Sequence, residues 1–155
     1  MPFRSGLQGG NTVSEIGNEP VAKVEQYLND LGVAYRKLSS ETWLVEDEAR
    51  GLPKMVISQS DPVVVIRASV MPVPSKEGEA LFKKLLQLNF TDFLHGAYAI
   101  DGDQIVAVDT LELKNMNKDE LSASIEAMAI ALSQNYPLLS KFAEGEAGSA
   151  TEKEE

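Results

Sequence analysis

Four extended runs follow one another with no helical period between them. They are Val33 to Leu38, Thr42 to Glu46, Lys54 to Ser58 and the β-branched stretch Val63 to Val70. The links are Ser39-Ser40-Glu41, the polar Glu46-Asp47-Glu48-Ala49-Arg50-Gly51, and the breaker Asp61-Pro62. Parallel neighbours need a crossover of about a dozen residues or more, and links this short allow only antiparallel pairing. A doubly wound sheet is therefore excluded, and the chain is expected to be α+β.

Helical periods flank these runs. Asn18 can cap a first helix with Glu19 and Pro20 in its first turn. Val21, Val24, Leu28 and Leu31 form its apolar stripe, and Gly32 supplies a left-handed stop. Met71-Pro72-Val73-Pro74 ends the fourth run, because proline cannot donate to a ladder. Ser75 can cap a second helix that carries Leu81, Phe82, Leu85, Leu86 and Leu88 and ends near Asn89. Asp101-Gly102-Asp103 joins Gly96–Ile100 to Gln104–Thr110 as a hairpin. Asn117-Lys118-Asp119-Glu120 reads as a capping box opening a third helix along Leu121, Ile125, Met128 and Leu132. Pro137 is expected to bend or end that helix at Tyr136. The expected order is α-β-β-β(-β)-α-β-β-α, an antiparallel sheet with three helices.

The domain organisation follows from composition along the chain. Residues 1–17, rich in Gly, Ser, Asn and Thr, are expected to be a flexible arm. Residues 18–143 form one α+β domain. Residues 144–155, with five Glu and one Lys, are expected to be a disordered, solvated acidic tail. A chain of 155 residues suffices for one core, burying roughly two-thirds of its unfolded surface.

Composition also removes function classes. With no cysteine, disulfides, thiolate metal sites and cysteine nucleophiles are excluded. One histidine, His95, rules out a two-histidine zinc site. Fourteen Lys and Arg against 24 Asp and Glu give a net charge of −10. Nucleic-acid affinity draws on Lys and Arg, so no nucleic-acid partner is expected. There is no stretch approaching the roughly 18 apolar residues of a membrane span, and no apolar core to a leader, so no membrane is expected either and the cytoplasm is the expected location.

The segment from Val63 to Asn89, with Met71-Pro72-Val73-Pro74 before a helix ending Leu85-Leu86-Gln87-Leu88-Asn89, resembles the type III secretion chaperone-like fold and, within it, the YbjN family. The hairpin Gly96 to Val106 and the helix opened by Asn117 and Glu120 continue the resemblance, which covers Pro20 to Lys141. It implies a small acidic protein, often a homodimer, that holds a partly unfolded segment of a partner protein. A YbjN-like regulatory or structural dimer is the alternative it leaves open. It brings no catalytic residues and no cofactor.

The residues themselves agree. His95 has no G-x-S-x-G serine to activate, and a catalytic role is not expected for it. Asp101, Asp103 and Asp109 lack the spacing and closing glutamate of a calcium loop, and Glu46, Asp47 and Glu48 read as a solvated loop, so no metal site is expected. A small carboxylate-dependent enzyme is the weakest alternative. The open question is apolar. A helix covering one sheet face needs a stripe about 100° wide. Leu81, Leu85 and Leu88 supply it, leaving Phe82 and Leu86 to one side. Phe82, Leu86 and Trp43 are the candidate partner-binding residues. The partner segment is expected either to add to a strand edge such as Lys54 to Ser58 or to lie in an apolar groove.

Overall fold

A computed structural model of the chain describes residues 21–154, with side chains described as far as residue 143. The expected arm over residues 1–17 and the helix cap at Asn18 lie outside the described residues. Helix α1 spans Lys23–Leu31, and β1 (Tyr35–Ser39) and β2 (Thr42–Asp47) follow. A single 3-10 turn at Glu48–Arg50 leads into β3 (Leu52–Ser60) and β4 (Val63–Pro72). Helix α2 (Gly78–Thr91), the hairpin β5 (Ala97–Asp101) and β6 (Gln104–Glu112), and helix α3 (Lys118–Glu154) complete the order.

The strands form one six-stranded sheet in the order β1-β2-β3-β4-β6-β5, antiparallel at every pairing. This is the expected α+β arrangement. One face is covered. Trp43, Val45, Met55, Ile57, Val64, Ile66, Ala68, Ile105 and Ala107 are buried there in one cluster with Val24 and Leu28 of α1 and Leu121, Ile125 and Met128 of α3. The alanines on α3, including the buried Ala129 and Ala131, keep that helix thin enough to lie close to the sheet.

Local signals hold where they are chemically specific. Gly32 ends α1 at φ 69°, and its N–H reaches the Asn29 carbonyl at 3.1 Å. The capping box is reciprocal: Glu120 N–H donates to Asn117 Oδ1 at 2.8 Å, and Asn117 N–H donates to Glu120 Oε2 at 3.2 Å. Gly102 takes φ 62° in the β5–β6 turn.

Four expectations need correction. Helix α1 begins at Lys23 rather than near Asn18; Ala22 precedes it in extended conformation, and Val21 stands exposed outside it. Helix α2 begins at Gly78, later than a cap at Ser75 implies. Helix α3 does not stop at Tyr136. It runs through Pro137, and its backbone stays helical to Glu154, across the stretch read as a tail. A proline removes one N–H···O bond, but Leu139 beyond it is buried and holds the next turn in place. The Ser140 hydroxyl also donates back to the Tyr136 and Pro137 carbonyls, at 2.9 and 3.2 Å. The fourth correction concerns the proposed edge. Lys54 to Ser58 lies inside β3, paired to β2 on one side and β4 on the other, so it offers no open edge.

Candidate functional site

The two ends of the sheet differ in what they leave open. At one end, β1 has β2 on one side and, among the described residues, no strand on the other. Glu46 N–H donates to the Ala34 carbonyl at 3.3 Å. Hydrogen-bonded and non-bonded pairs alternate along an antiparallel ladder. With Tyr35 opposite Val45 and Arg36 opposite Leu44, Tyr35 and Lys37 therefore turn their backbone N–H and C=O outward. Beyond Tyr35, the side chains of β1 are exposed, with Leu38 at 49%.

The inner side of β1 is tied to α1. Lys37 Nζ pairs with Glu25 Oε2 at 3.1 Å, and the Tyr35 hydroxyl donates to Asn29 Oδ1 at 2.7 Å and to Glu25 Oε1 at 3.3 Å. The Lys37 ammonium holds the Glu25 carboxyl below its ordinary range, against a smaller opposing effect of burial. Burial pushes the Tyr35 phenol up. Trp43 stands directly opposite Lys37 in register, its ring fully buried and its indole N–H without a completed hydrogen bond, although it also favours the ionised Glu25.

At the other end, α2 caps the outer edge of β5 at Tyr98. Tyr98 N–H donates to Asn89 Oδ1 at 2.7 Å, and Asn89 Nδ2 donates to the Tyr98 carbonyl at 3.3 Å. One amide side chain thus makes both bonds that a neighbouring strand residue would make. The Tyr98 ring is buried, its hydroxyl accepts from Asn135 Nδ2 at 3.0 Å, and Phe93 packs edge-on against it at 4.9 Å. Burial raises the Tyr98 phenol above its ordinary value.

Helix α2 buries Leu81, Leu85 and Leu88, the stripe read from the sequence. Its outer face and the turn after it carry Leu86 at 69%, Phe90 at 91% and Leu94 at 89% exposure. Large apolar side chains this exposed and this close in sequence mark an interaction surface more often than a solvated face.

The three candidate residues are therefore not brought together. Leu86 lies on the exposed face of α2. Phe82 is half-buried against the core, near Gly78. Trp43, expected as a partner contact, lies under α1 at the opposite end of the sheet with 0% exposure. Phe90 and Leu94 were missed because the helix was expected to end near Asn89, whereas it runs to Thr91. The four-residue steps from Leu86 to Phe90 and from Phe90 to Leu94 were the available signal.

A groove of about 780 Å³ lies where α3 leaves the sheet, lined by Leu52, Val70, Met71, Leu132, Tyr136 and Leu139, with Glu48 and Lys54 at its rim. No cluster of three or more potential metal-ligating side chains occurs among the described residues, and His95 is an exposed side chain beside the turn at Gly96. No helix among the described residues is long and apolar enough to cross a membrane.

The family profile CesT_Tir_1 matches residues 17–145. The chain belongs to this type III chaperone family. Its fold is similar to a chain of the heterodimeric ExoU–SpcU complex of the Pseudomonas aeruginosa type III secretion system. That similarity has a TM-score of 0.61 at 18% identity, over 74% of this chain and 96% of that one. It is also similar to YbjN from E. coli, with a TM-score of 0.57 at 15% identity over 78% of this chain and 94% of that one. At such identities the likeness is one of fold. A search of curated proteins finds no match. The family and its fold thus agree with the resemblance read from the sequence, and support a module that binds a protein partner.

Proposed function

We propose that this chain is a non-enzymatic, cytoplasmic chaperone-type subunit. It holds an extended segment of a partner protein along the β1 edge and pairs with a second copy of itself through the outer face of α2. The observation that carries the first part is the contrast between the sheet's two ends. Among the described residues the outward backbone of Tyr35 and Lys37 has no strand partner, while that of Tyr98 is satisfied by Asn89. Main-chain pairing to an open edge gives affinity with little demand on the sequence being held, which suits a protein that keeps a segment from folding. The exposed row Leu86, Phe90, Leu94 supports the second part. The similar chain found in the ExoU–SpcU complex, and the family itself, make a protein partner the natural ligand class.

The test uses the full chain as bait in lysate of its native cell, with bound proteins identified by mass spectrometry. Lys37→Pro removes one outward N–H and no bond within the sheet, as an edge strand tolerates. It is expected to abolish capture that Lys37→Ala retains. Capture that survives Lys37→Pro refutes the edge. Should Leu132→Asp abolish that surviving capture, the groove beside α3 is the seat. The alternative of a YbjN-like regulatory dimer predicts a folded partner whose capture depends on Phe90 and not on Lys37.

A further inference from the structure

Helix α2 is attached differently from the other two. It packs closest to β5, at the rim of the sheet, with its buried leucines at the margin of the core cluster. Its buried side chains are Leu81, Leu85 and Leu88. Both ends are points where the backbone turns sharply into the left-handed region. Glu77, a non-glycine residue, has φ 59° just before the helix, and Gly96 has φ 94° just before β5. Between them, the polar link to the sheet is one amide: Asn89 to the backbone of Tyr98.

We propose that α2 is a latched strap. It lifts from the rim of the sheet as a unit, between hinges at Glu77 and Gly96, while the rest of the domain stays folded, and the Asn89 amide is the latch. Closed, the strap covers the β5 edge at Tyr98. Opened, it frees the N–H and C=O of Tyr98 and uncovers Leu81, Leu85 and Leu88, giving the sheet a second edge with an apolar flank. Segments that open below the global unfolding free energy are those with few ties to the rest of the fold; α2 is held by the Asn89 amide, where α1 is tied through Val24 N–H to Gln59 Oε1, Lys23 Nζ to the Leu113 carbonyl and Glu25 to Lys37. This inference does not depend on which partner the β1 edge holds.

Native-state amide hydrogen exchange on the full chain tests it. In the wild type, the amides of Leu85, Leu88 and Tyr98 are expected to exchange faster than those of Ile57 and Val64 in the central strands, with a weaker dependence on added urea. Two further variants separate strap opening from global unfolding. Ile57→Val, remote from the strap, is expected to speed the central-strand amides about two- to tenfold and leave those of α2 and Tyr98 unchanged. Asn89→Ala is expected to speed the Leu85, Leu88 and Tyr98 amides together, about ten- to a hundredfold, for the loss of two hydrogen bonds.

The strap is refuted if the α2 amides follow Ile57 and Val64 under Ile57→Val, since the helix then leaves only on global unfolding. It is equally refuted if Asn89→Ala leaves the exchange of Tyr98 as it was. Where Asn89→Ala does not fold, Asn89→Asp keeps the acceptor for Tyr98 N–H and loses the donor, and the wild-type response to Ile57→Val decides independently.

Discussion

Replacing Leu86 and Phe90 together by Asp separates an interface from a core. In the lone subunit these side chains are 69% and 91% exposed, so little is lost there, and the unfolding free energy is expected to change by no more than about 0.5 kcal/mol per site. In a two-fold dimer their burial counts twice. Taking about 2 kcal/mol for full burial of either side chain and scaling by exposure, the pair contributes about 3 kcal/mol per subunit and about 6 per dimer. That is about four powers of ten in the dimer dissociation constant, as an upper bound, because association also costs side-chain entropy. Sedimentation across a wide concentration range measures it, with urea unfolding followed by Trp43 emission as the control for the fold. A wild type that dimerises near micromolar concentration should become monomeric at every accessible concentration, with its unfolding midpoint nearly unmoved. A variant that dimerises as tightly as the wild type would show that the exposed face of α2 is not the contact. A variant that loses several kcal/mol of stability would show that the side chains are core.

Core and cap positions behave oppositely. Leu28→Ala, at a fully buried site between α1 and the sheet, should cost about 2–5 kcal/mol in urea unfolding, against almost nothing for Leu86→Ala. Asn117→Ala removes one half of the capping box on α3 and should cost about 1 kcal/mol by the same assay. Gly96→Ala sets a Cβ 3.1 Å from the Val108 carbonyl oxygen and 3.3 Å from Met128 Cγ at φ 94°, and should lower the melting temperature clearly, whereas Gly51→Ala meets no neighbouring atom and pays only for its positive φ. Glu25 titrates below its ordinary value of 4.5 in the folded chain. Its contribution is therefore present above that value and lost as pH falls through the folded pKa, so Glu25→Gln should flatten the acid limb of a Trp43 fluorescence titration below pH 4.5.

The absence of helical period between Val33 and Val70 forced antiparallel neighbours, and with them the α+β class. Gly32, Asn117 with Glu120, and Asp101-Gly102 marked their turns and caps because each signal is local: a backbone angle or a bond within four residues decides it. The buried stripe of α2 was equally legible, since burial of every third or fourth residue is written in the spacing. Pro137 misled because its local cost is real but small beside the packing of Leu139 on the following turn.

What the sequence could not determine is position within the sheet. Lys54 to Ser58 reads like any short strand, yet it has neighbours on both sides, while β1 has one among the described residues. Whether a strand is an edge depends on pairing between residues far apart in the chain, and no local property carries that. The same holds for Trp43, buried because α1 folds over β2, and for Asn89, whose amide meets Tyr98 only because the chain after α2 turns back at Gly96. Order and periodicity determined which elements form and which faces are apolar. Long-range contact, which costs chain entropy and is settled only when the whole sheet assembles, decided which edge stays open and which apolar face stays bare.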